Sequence, residues 1–382
     1  MNSSAFFCVQ GRRFAADTSL AERDSFEVRS LPRPYKVSWS EDKDVFSGIR
    51  EFMSGNAASL LLADGKVLSL HGASLPRGER VLDFSAAEDS KTMDGAARVL
   101  HFLAANGITK GGALIVAGGG IAQDVGGFAA GMYKRGVPLI LYPTTLLAMC
   151  DSCIGGKVSL NYSGAKNQLG LIYAPREVVI NPHFLRTLDR RDLLSGMGEI
   201  LKTFIIGGEE FLELYARRVK DGMPGRFEDF RALILCSLSV KRAVVEGDEF
   251  ELDHRRALNY AHTAGHAVEA LSGYAVPHGQ AVAAGMIIMN EFSCRRGLMK
   301  REESSRFRTL ALELLDAASL KALRALPAGD LTGPMRKDKK SLSEDVFLVL
   351  QKSAGETVFL RERLDDSFRA EMADIVRREF QS

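Results

Sequence analysis

Between residues 36 and 182 the hydrophobic positions come in short runs, SLLLAD, ALIVAG, PLILYP and EVVIN, separated by Ala-rich stretches with helical spacing. Short apolar runs bounded by turn residues predict strands buried on both faces. Their alternation with helices predicts a mainly parallel sheet flanked by helices. After residue 183 such runs almost vanish. RRDLLSGMGEILKTFI, FEDFRALILCSLSVKRAVVEG and QAVAAGMIIMNEFSCRRG instead repeat apolar residues at helical intervals, with one late strand or hairpin at FLVLQ. The first 35 residues show little periodicity, end in LPRPYK and read as an extension. The expected architecture is α/β, with a sheet domain over 36–182 and a mainly α-helical domain over 183–382.

Within the helical half, Arg255, Asn259, His262, His266 and Glu269 follow one another at steps of four, three, four and three around LNYAHTAGHAVE. This spacing predicts one polar face on an otherwise apolar helix. A face turned to water normally carries Lys and Glu, whereas this one carries two of the seven histidines in the chain, a residue suited to metals and protons. Glu199 and Lys202 lie three apart in SGMGEILKTF, a spacing that on its own describes a surface ion pair. His278 opens another apolar helix at VPHGQAV, where a helix cap is the plainer reading. Taken together, Glu199, His278 and either His262 or His266 form the two-histidine, one-carboxylate set that leaves an open position on zinc. Spacing does not choose between the two histidines.

In the sheet half, ALIVAGGGIAQDVGGFAAG runs from an apolar strand through three glycines into a helix, so backbone NH groups could approach a pyrophosphate in the Rossmann-like manner. Asp64 ends the strand SLLLAD, where an acid can bond a ribose hydroxyl. The stretch RGVPLILYPTTLLAMCDSCIGGKVSLNYSGAKNQLG follows a buried strand with a polar loop, placing it at the carboxyl edge of the sheet. Lys157 and Lys166 there suit phosphate groups.

Composition narrows the choice. The formal charge is +2, with basic and acidic residues nearly balanced and dispersed, which argues against a nucleic-acid partner. No apolar run reaches the roughly 18 residues of a membrane span, and the start lacks a signal-peptide h-region, so a cytoplasmic enzyme is expected. Five cysteines are too few for a disulfide scaffold. Cys150 and Cys153 form a CxxC, but its flanks lack the strand-to-helix context of a redox pair.

The ordered motifs AEDSKT, GGGIAQD, YKRGVP, PTTLLA, Asp151 followed by GGK, AKN, GEILK, LNYAHTAGHAVE, HGQAVAAGM and DKK, from about residue 58 to 355, resemble 3-dehydroquinate synthase and the wider sugar phosphate cyclases. The resemblance implies an NAD-binding domain and a metal-binding domain, with the histidine stripe lining the cleft between them. It implies NAD contacts from Asp64, Glu88, Lys91, Gly119, Gly120, Ile121, Asp124, Thr144, Thr145, Lys166 and Thr187. Zinc, or cobalt in its place, would be held by Glu199, His262 and His278. Asp151, Lys202, Lys241, Glu251, Arg255, Asn259 and His266 would form the catalytic set. Substrate phosphate would meet Lys157, Asn167 and one of Lys339 and Lys340, with Arg135 reaching it from the partner of a homodimer.

The reaction so implied oxidises a sugar phosphate with NAD, eliminates phosphate, re-reduces the ketone and closes a carbocycle by an intramolecular aldol step. Lys241 and Arg255, implied to bind a carboxylate, favour 3-deoxy-D-arabino-heptulosonate 7-phosphate as substrate. Glu251, four residues before Arg255, could instead neutralise it in a helical pair. Gln123, Ala261 and the two CxxC cysteines depart from the family pattern. The long amino-terminal lead and NPHFLRTLDRRDLLSGMGEILK look more like secondary-metabolism cyclases of sedoheptulose 7-phosphate, and an amino analogue of the same keto acid is a further alternative. Metal-dependent alcohol and glycerol dehydrogenases share the implied fold, but would give Lys157, Asn259 and His266 little to bind.

Overall fold

The computed structural model describes residues 4–31, 33–75, 78–327, 329, 331–337 and 345–381. The chain forms two compact units, Glu22–Leu188 and Met1–Ala21 with Asp189–Ser382.

The first unit is built on a seven-stranded sheet in the order Ser25–Val28, Tyr35–Trp39, Glu177–Ile180, Leu139–Pro143, Leu114–Gly118, Leu60–Asp64, Val81–Phe84. Only the Ser25–Val28 edge strand is antiparallel to its neighbour. Every residue of Leu114–Gly118 and Leu139–Pro143 is buried, as expected of strands covered on both faces. The helix Gly120–Met132 follows the strand Leu114–Gly118 directly, and Gly126 lets it lie close against the sheet. A Cβ at Gly126 would sit 2.6 Å from a Val116 methyl. This βα turn brings the glycines to the carboxyl edge of the sheet.

The amino-terminal residues are not an appended lead. Ser4–Val9 and Arg12–Asp17 form a hairpin turned at Gln10 and Gly11, both with positive φ, and Ser4–Val9 pairs in parallel with Glu356–Arg363. With Asp345–Ser353 they make a four-stranded sheet in the otherwise helical unit. The alternation of buried Ala5, Phe7 and Val9 with more exposed neighbours is the period of a half-buried strand. Ser25–Val28, also within the expected lead, joins the large sheet. The division between units falls at 188/189 rather than 182/183. The 3₁₀ turn Pro182–Thr187 stays with the sheet, and the Asp189 carboxylate caps the helix Arg190–Gly207 by accepting from Asp192 N at 2.8 Å.

The helical unit packs Arg190–Gly207 and His262–Leu271 against His278–Arg295. Glycines set the approach. A Cβ on Gly279 would lie 1.7 Å from the Ser195 carbonyl oxygen, and one on Gly198 would lie 2.1 Å from the Gly279 carbonyl oxygen. Gly279 N also donates to Ser195 Oγ at 2.9 Å. These contacts leave no room for a methyl group, and they set Glu199 and His278, each beside one of the glycines, on facing backbones. No helix among the described residues is long and apolar enough to cross a membrane. Gly279→Ala is therefore expected to lower unfolding free energy by about 3 kcal/mol, the upper end of overpacking costs, as measured by urea denaturation.

Candidate metal centre and cofactor site

Glu199 sits in the middle of the helix Arg190–Gly207 and is 1% exposed. Its Oε2 is 2.5 Å from Lys202 Nζ, and its Oε1 faces two imidazoles, His278 Nε2 at 3.2 Å and His262 Nε2 at 3.5 Å. Burial opposes ionisation of Glu199, yet Lys202 and the two histidines prevail and hold its carboxyl well below the usual range. The far side of each ring is fixed. His262 Nδ1 donates to the Tyr260 carbonyl at 3.1 Å, and His278 Nδ1 donates to Glu269 Oε2 at 3.0 Å. Tying down both Nδ1 atoms turns both Nε2 atoms towards Glu199, the way metal-binding imidazoles are oriented.

The donor set fits a divalent ion. Ligand atoms about 2.1 Å from a tetrahedral zinc lie roughly 3.4 Å from one another, close to the two Nε2–Oε1 separations. The electrostatics agree. Burial works against a charged His278, but Glu199 and Glu269 outweigh it and push its pKa up to about 10. His262 moves the other way, down to about 3, through burial and the Lys202 charge. Two carboxylates thus flank His278 in a pocket arranged to hold positive charge. His262, His266 and His278 also bring ring nitrogens within 4.8 Å of one another. The position of Glu199 between the Nε2 atoms of His262 and His278 favours these three as ligands and leaves His266 beside them.

The polar stripe is not one helix. Arg255 and Asn259 lie on the 3₁₀ turn His254–Asn259, Tyr260 and Ala261 break the run, and the α-helix begins at His262. Only His262, His266 and Glu269 share a face of it. The break is at Ala261, whose φ of 68° is left-handed, a region that no regular right-handed helix passes through. Glu251 also has positive φ, at 56°, outside any helix, so the helical pairing geometry with Arg255 does not exist. Glu251 instead accepts from Asn259 Nδ2 at 2.6 Å. Arg255 is buried and donates to the Glu249 carbonyl, and its backbone N donates to Asp248 at 3.0 Å. Lys241 is buried on Asp229–Val245, a helix in contact with the 3₁₀ turn that carries Arg255.

In the sheet unit, Asp64, Gly119, Gly120, Thr144 and Thr145 cluster where three adjacent parallel strands end. A Cβ on Gly119 would be 3.1 Å from Thr145 Cγ2, so the glycine turn and the threonines touch. Asp64 caps the following helix, accepting from Lys66 N at 2.9 Å. Ile121 and Asp124 are on the first turns of Gly120–Met132. Asp124 pairs with Lys91 Nζ at 2.5 Å and accepts from Ser159 N at 2.9 Å. Lys91 also donates to Asn167 Oδ1 at 2.7 Å. Glu88 accepts from Asn161 Nδ2 at 2.7 Å and is 3.6 Å from Lys166. Thr187 Oγ1 is 2.9 Å from His71 Nε2.

The expected polar loop is an ordered hairpin, Lys157–Tyr162 with Ala165–Ile172, bulged between Ala165 and Leu169. Lys157 opens it, exposed, while Lys166 and Asn167 join the network at Lys91. Asp151 lies in the one-turn π-helix Ala148–Ser152, and Arg135 is exposed at the end of the 3₁₀ turn Tyr133–Arg135. Lys339 and Lys340 lie outside the described residues. The five cysteines are present as thiols, and Cys150 and Cys153 are buried. Sequence reasoning missed the Tyr260 carbonyl as the group orienting His262, because a backbone contact leaves no trace in residue type. It also missed Ser159 and Asn161 as partners of Asp124 and Glu88, which only the hairpin brings near.

Residues 81–195 match the family model described as 3-dehydroquinate synthase N-terminal, and residues 196–341 match 3-dehydroquinate synthase C-terminal. The chain is 31% identical over 371 residues to 2-epi-valiolone synthase of Actinosynnema mirum, covering 95% of each. It is 35% identical over 279 residues to 3-dehydroquinate synthase of Desulforamulus reducens, covering 72% of this chain and 77% of that one. A crystal structure of 2-deoxy-scyllo-inosose synthase complexed with carbaglucose-6-phosphate, NAD+ and Co2+ shares the fold, with a TM-score of 0.79 at 22% identity over 93% of this chain and 99% of that one.

With Glu199, His262 and His278 as the proposed ligands, the two neighbouring histidines have different expected outcomes. Glu199→Ala and His262→Ala should each lose bound zinc in equilibrium dialysis, whereas His266→Ala should keep one equivalent. The reverse result for the two histidines would exchange their roles.

Proposed function

Because the chain belongs to the 3-dehydroquinate synthase family of sugar phosphate cyclases, we propose that it converts 3-deoxy-D-arabino-heptulosonate 7-phosphate to 3-dehydroquinate and phosphate. The observation that carries this choice of substrate is the burial of two cations, Lys241 and Arg255, on elements in contact within the helical unit. A substrate carboxylate there gains charge-assisted hydrogen bonds from a planar guanidinium and an ammonium. A sugar hydroxyl in the same place would accept hydrogen bonds but bring no counter-charge.

In this reading NAD binds at the glycine turn and threonines of the sheet unit, and Glu199, His262 and His278 hold zinc. Bound there, the metal would supply Lewis acidity to a substrate hydroxyl and NAD a reversible hydride acceptor. The remaining work belongs to the chain. Lys202, at 2.5 Å, keeps Glu199 ionised. Tyr260 and Glu269 fix the two imidazoles through Nδ1. Within the helical unit, His266 and Asn259 are assigned to the substrate phosphate, which must be held by hydrogen-bond donors before it departs as an anion.

A second reading, a 2-epi-valiolone-type cyclase of sedoheptulose 7-phosphate, is favoured by the match to the Actinosynnema mirum relative over 95% of each chain. Phosphate release from each substrate, with zinc and substoichiometric NAD, decides between them. The keto acid phosphate should support many turnovers per NAD, and Arg255→Ala should lower kcat/KM on it at least about tenfold, or roughly 1.4 kcal/mol. Equal wild-type activity on sedoheptulose 7-phosphate, with Arg255→Ala harmless on both substrates, would promote the second reading. NADH accumulating in step with product would mark a dehydrogenase instead.

A further inference from the structure

Between the 3₁₀ turn and the helix that carries His262, the backbone passes through a left-handed residue that is not glycine, Ala261 at φ 68°. Alanine takes this conformation reluctantly, so neighbouring structure must hold it there. Two contacts from the helix His278–Arg295 do so. The Tyr260 hydroxyl, on a fully buried ring, donates to Asn290 Oδ1 at 2.6 Å, and Asn290 is itself 1% exposed. The Ala261 carbonyl lies against Gly285, where a Cβ would approach it to 2.3 Å. The same peptide stretch presents the Tyr260 carbonyl to His262 Nδ1 at 3.1 Å. The phenol therefore anchors the residue whose carbonyl aims the imidazole, and it anchors it to the helix whose first residue is His278.

We propose that Tyr260 and Asn290 are positioning residues for the metal site: their hydrogen bond clamps the left-handed turn at Ala261 so that the Tyr260 carbonyl holds His262 Nε2 towards Glu199. The Tyr260 hydroxyl bonds Asn290 rather than Glu199, His262 or His278. The effect of the pair passes through the backbone, so it depends on how hard residue 261 is to hold. Glycine adopts the left-handed region readily, and a chain with glycine at 261 needs the clamp less. A buried tyrosine that merely satisfies its hydroxyl would show no such dependence.

The inference rests on the metal reading above, and the test separates the two. Zinc affinity of the full-length protein is measured by chelator competition for wild type, Tyr260→Phe, Ala261→Gly and the double variant. Tyr260→Phe is expected to weaken zinc binding about tenfold, the lower end of losses for groups that orient a metal ligand. In the Ala261→Gly background the same change should cost less than about threefold, a coupling that a double-mutant cycle reads directly. Should Tyr260→Phe fail to fold, the comparison is made with Asn290→Ala, which removes the acceptor and leaves the ring. Equal losses in both backgrounds, or no loss in either, would overturn the clamp while zinc binding by wild type stands. A wild type that binds no zinc would overturn the metal reading and the clamp with it.

Discussion

The helical unit depends on one ionised carboxylate kept out of water. Glu199 is 1% exposed and Lys202 beside it also 1%, a burial that would cost several kcal/mol per charge if either stood alone. Their 2.5 Å contact and the two imidazoles on the other oxygen make the burial tolerable. That requirement propagates outward. The helices bearing Glu199 and His278 must approach backbone to backbone, which is why glycines occupy positions 198 and 279. Each imidazole must also spend its Nδ1 proton on a fixed acceptor, Tyr260 carbonyl or Glu269, to keep its Nε2 aimed inward.

The sheet unit uses a different device. Its cofactor-candidate residues are gathered by backbone geometry, because the strand ends of a parallel sheet place Asp64, Gly119, Thr144 and Thr145 along one edge. Lys91 and Asp124 then tie the first turns of Gly120–Met132 to the hairpin through Ser159 and Asn167. Burial pushes the Asp124 carboxyl up and Lys91 acts against it, so the pair behaves as a brace whose charges depend on each other.

Much of this was legible in the chain. The buried parallel strands announced themselves as unbroken apolar runs, and Glu199, the histidines and His278 were identifiable as donors of the right type. What periodicity could not deliver was continuity. A step of four and three reads the same whether one helix or two carries it, so the turn at Tyr260 and Ala261 was invisible, and with it the separate placement of Arg255 and Asn259. The first strands were lost for a related reason. SAFFCV and RRFAAD are short, and Glu356–Arg363, the strand that joins their hairpin to a sheet, lies more than three hundred residues along the chain. The preference for His262 over His266 likewise rests on a contact in space, the 3.5 Å approach of His262 Nε2 to Glu199 Oε1, which spacing does not encode.

Zinc K-edge X-ray absorption on the zinc-loaded protein tests the ligand set most directly, since outer-shell scattering counts imidazoles. Glu199, His262 and His278 as ligands predict two imidazoles with the remaining first-shell atoms oxygen, at about 2.0 to 2.2 Å. A spectrum with three imidazoles would bring His266 into the coordination sphere and contradict the central place given to the Glu199 carboxylate.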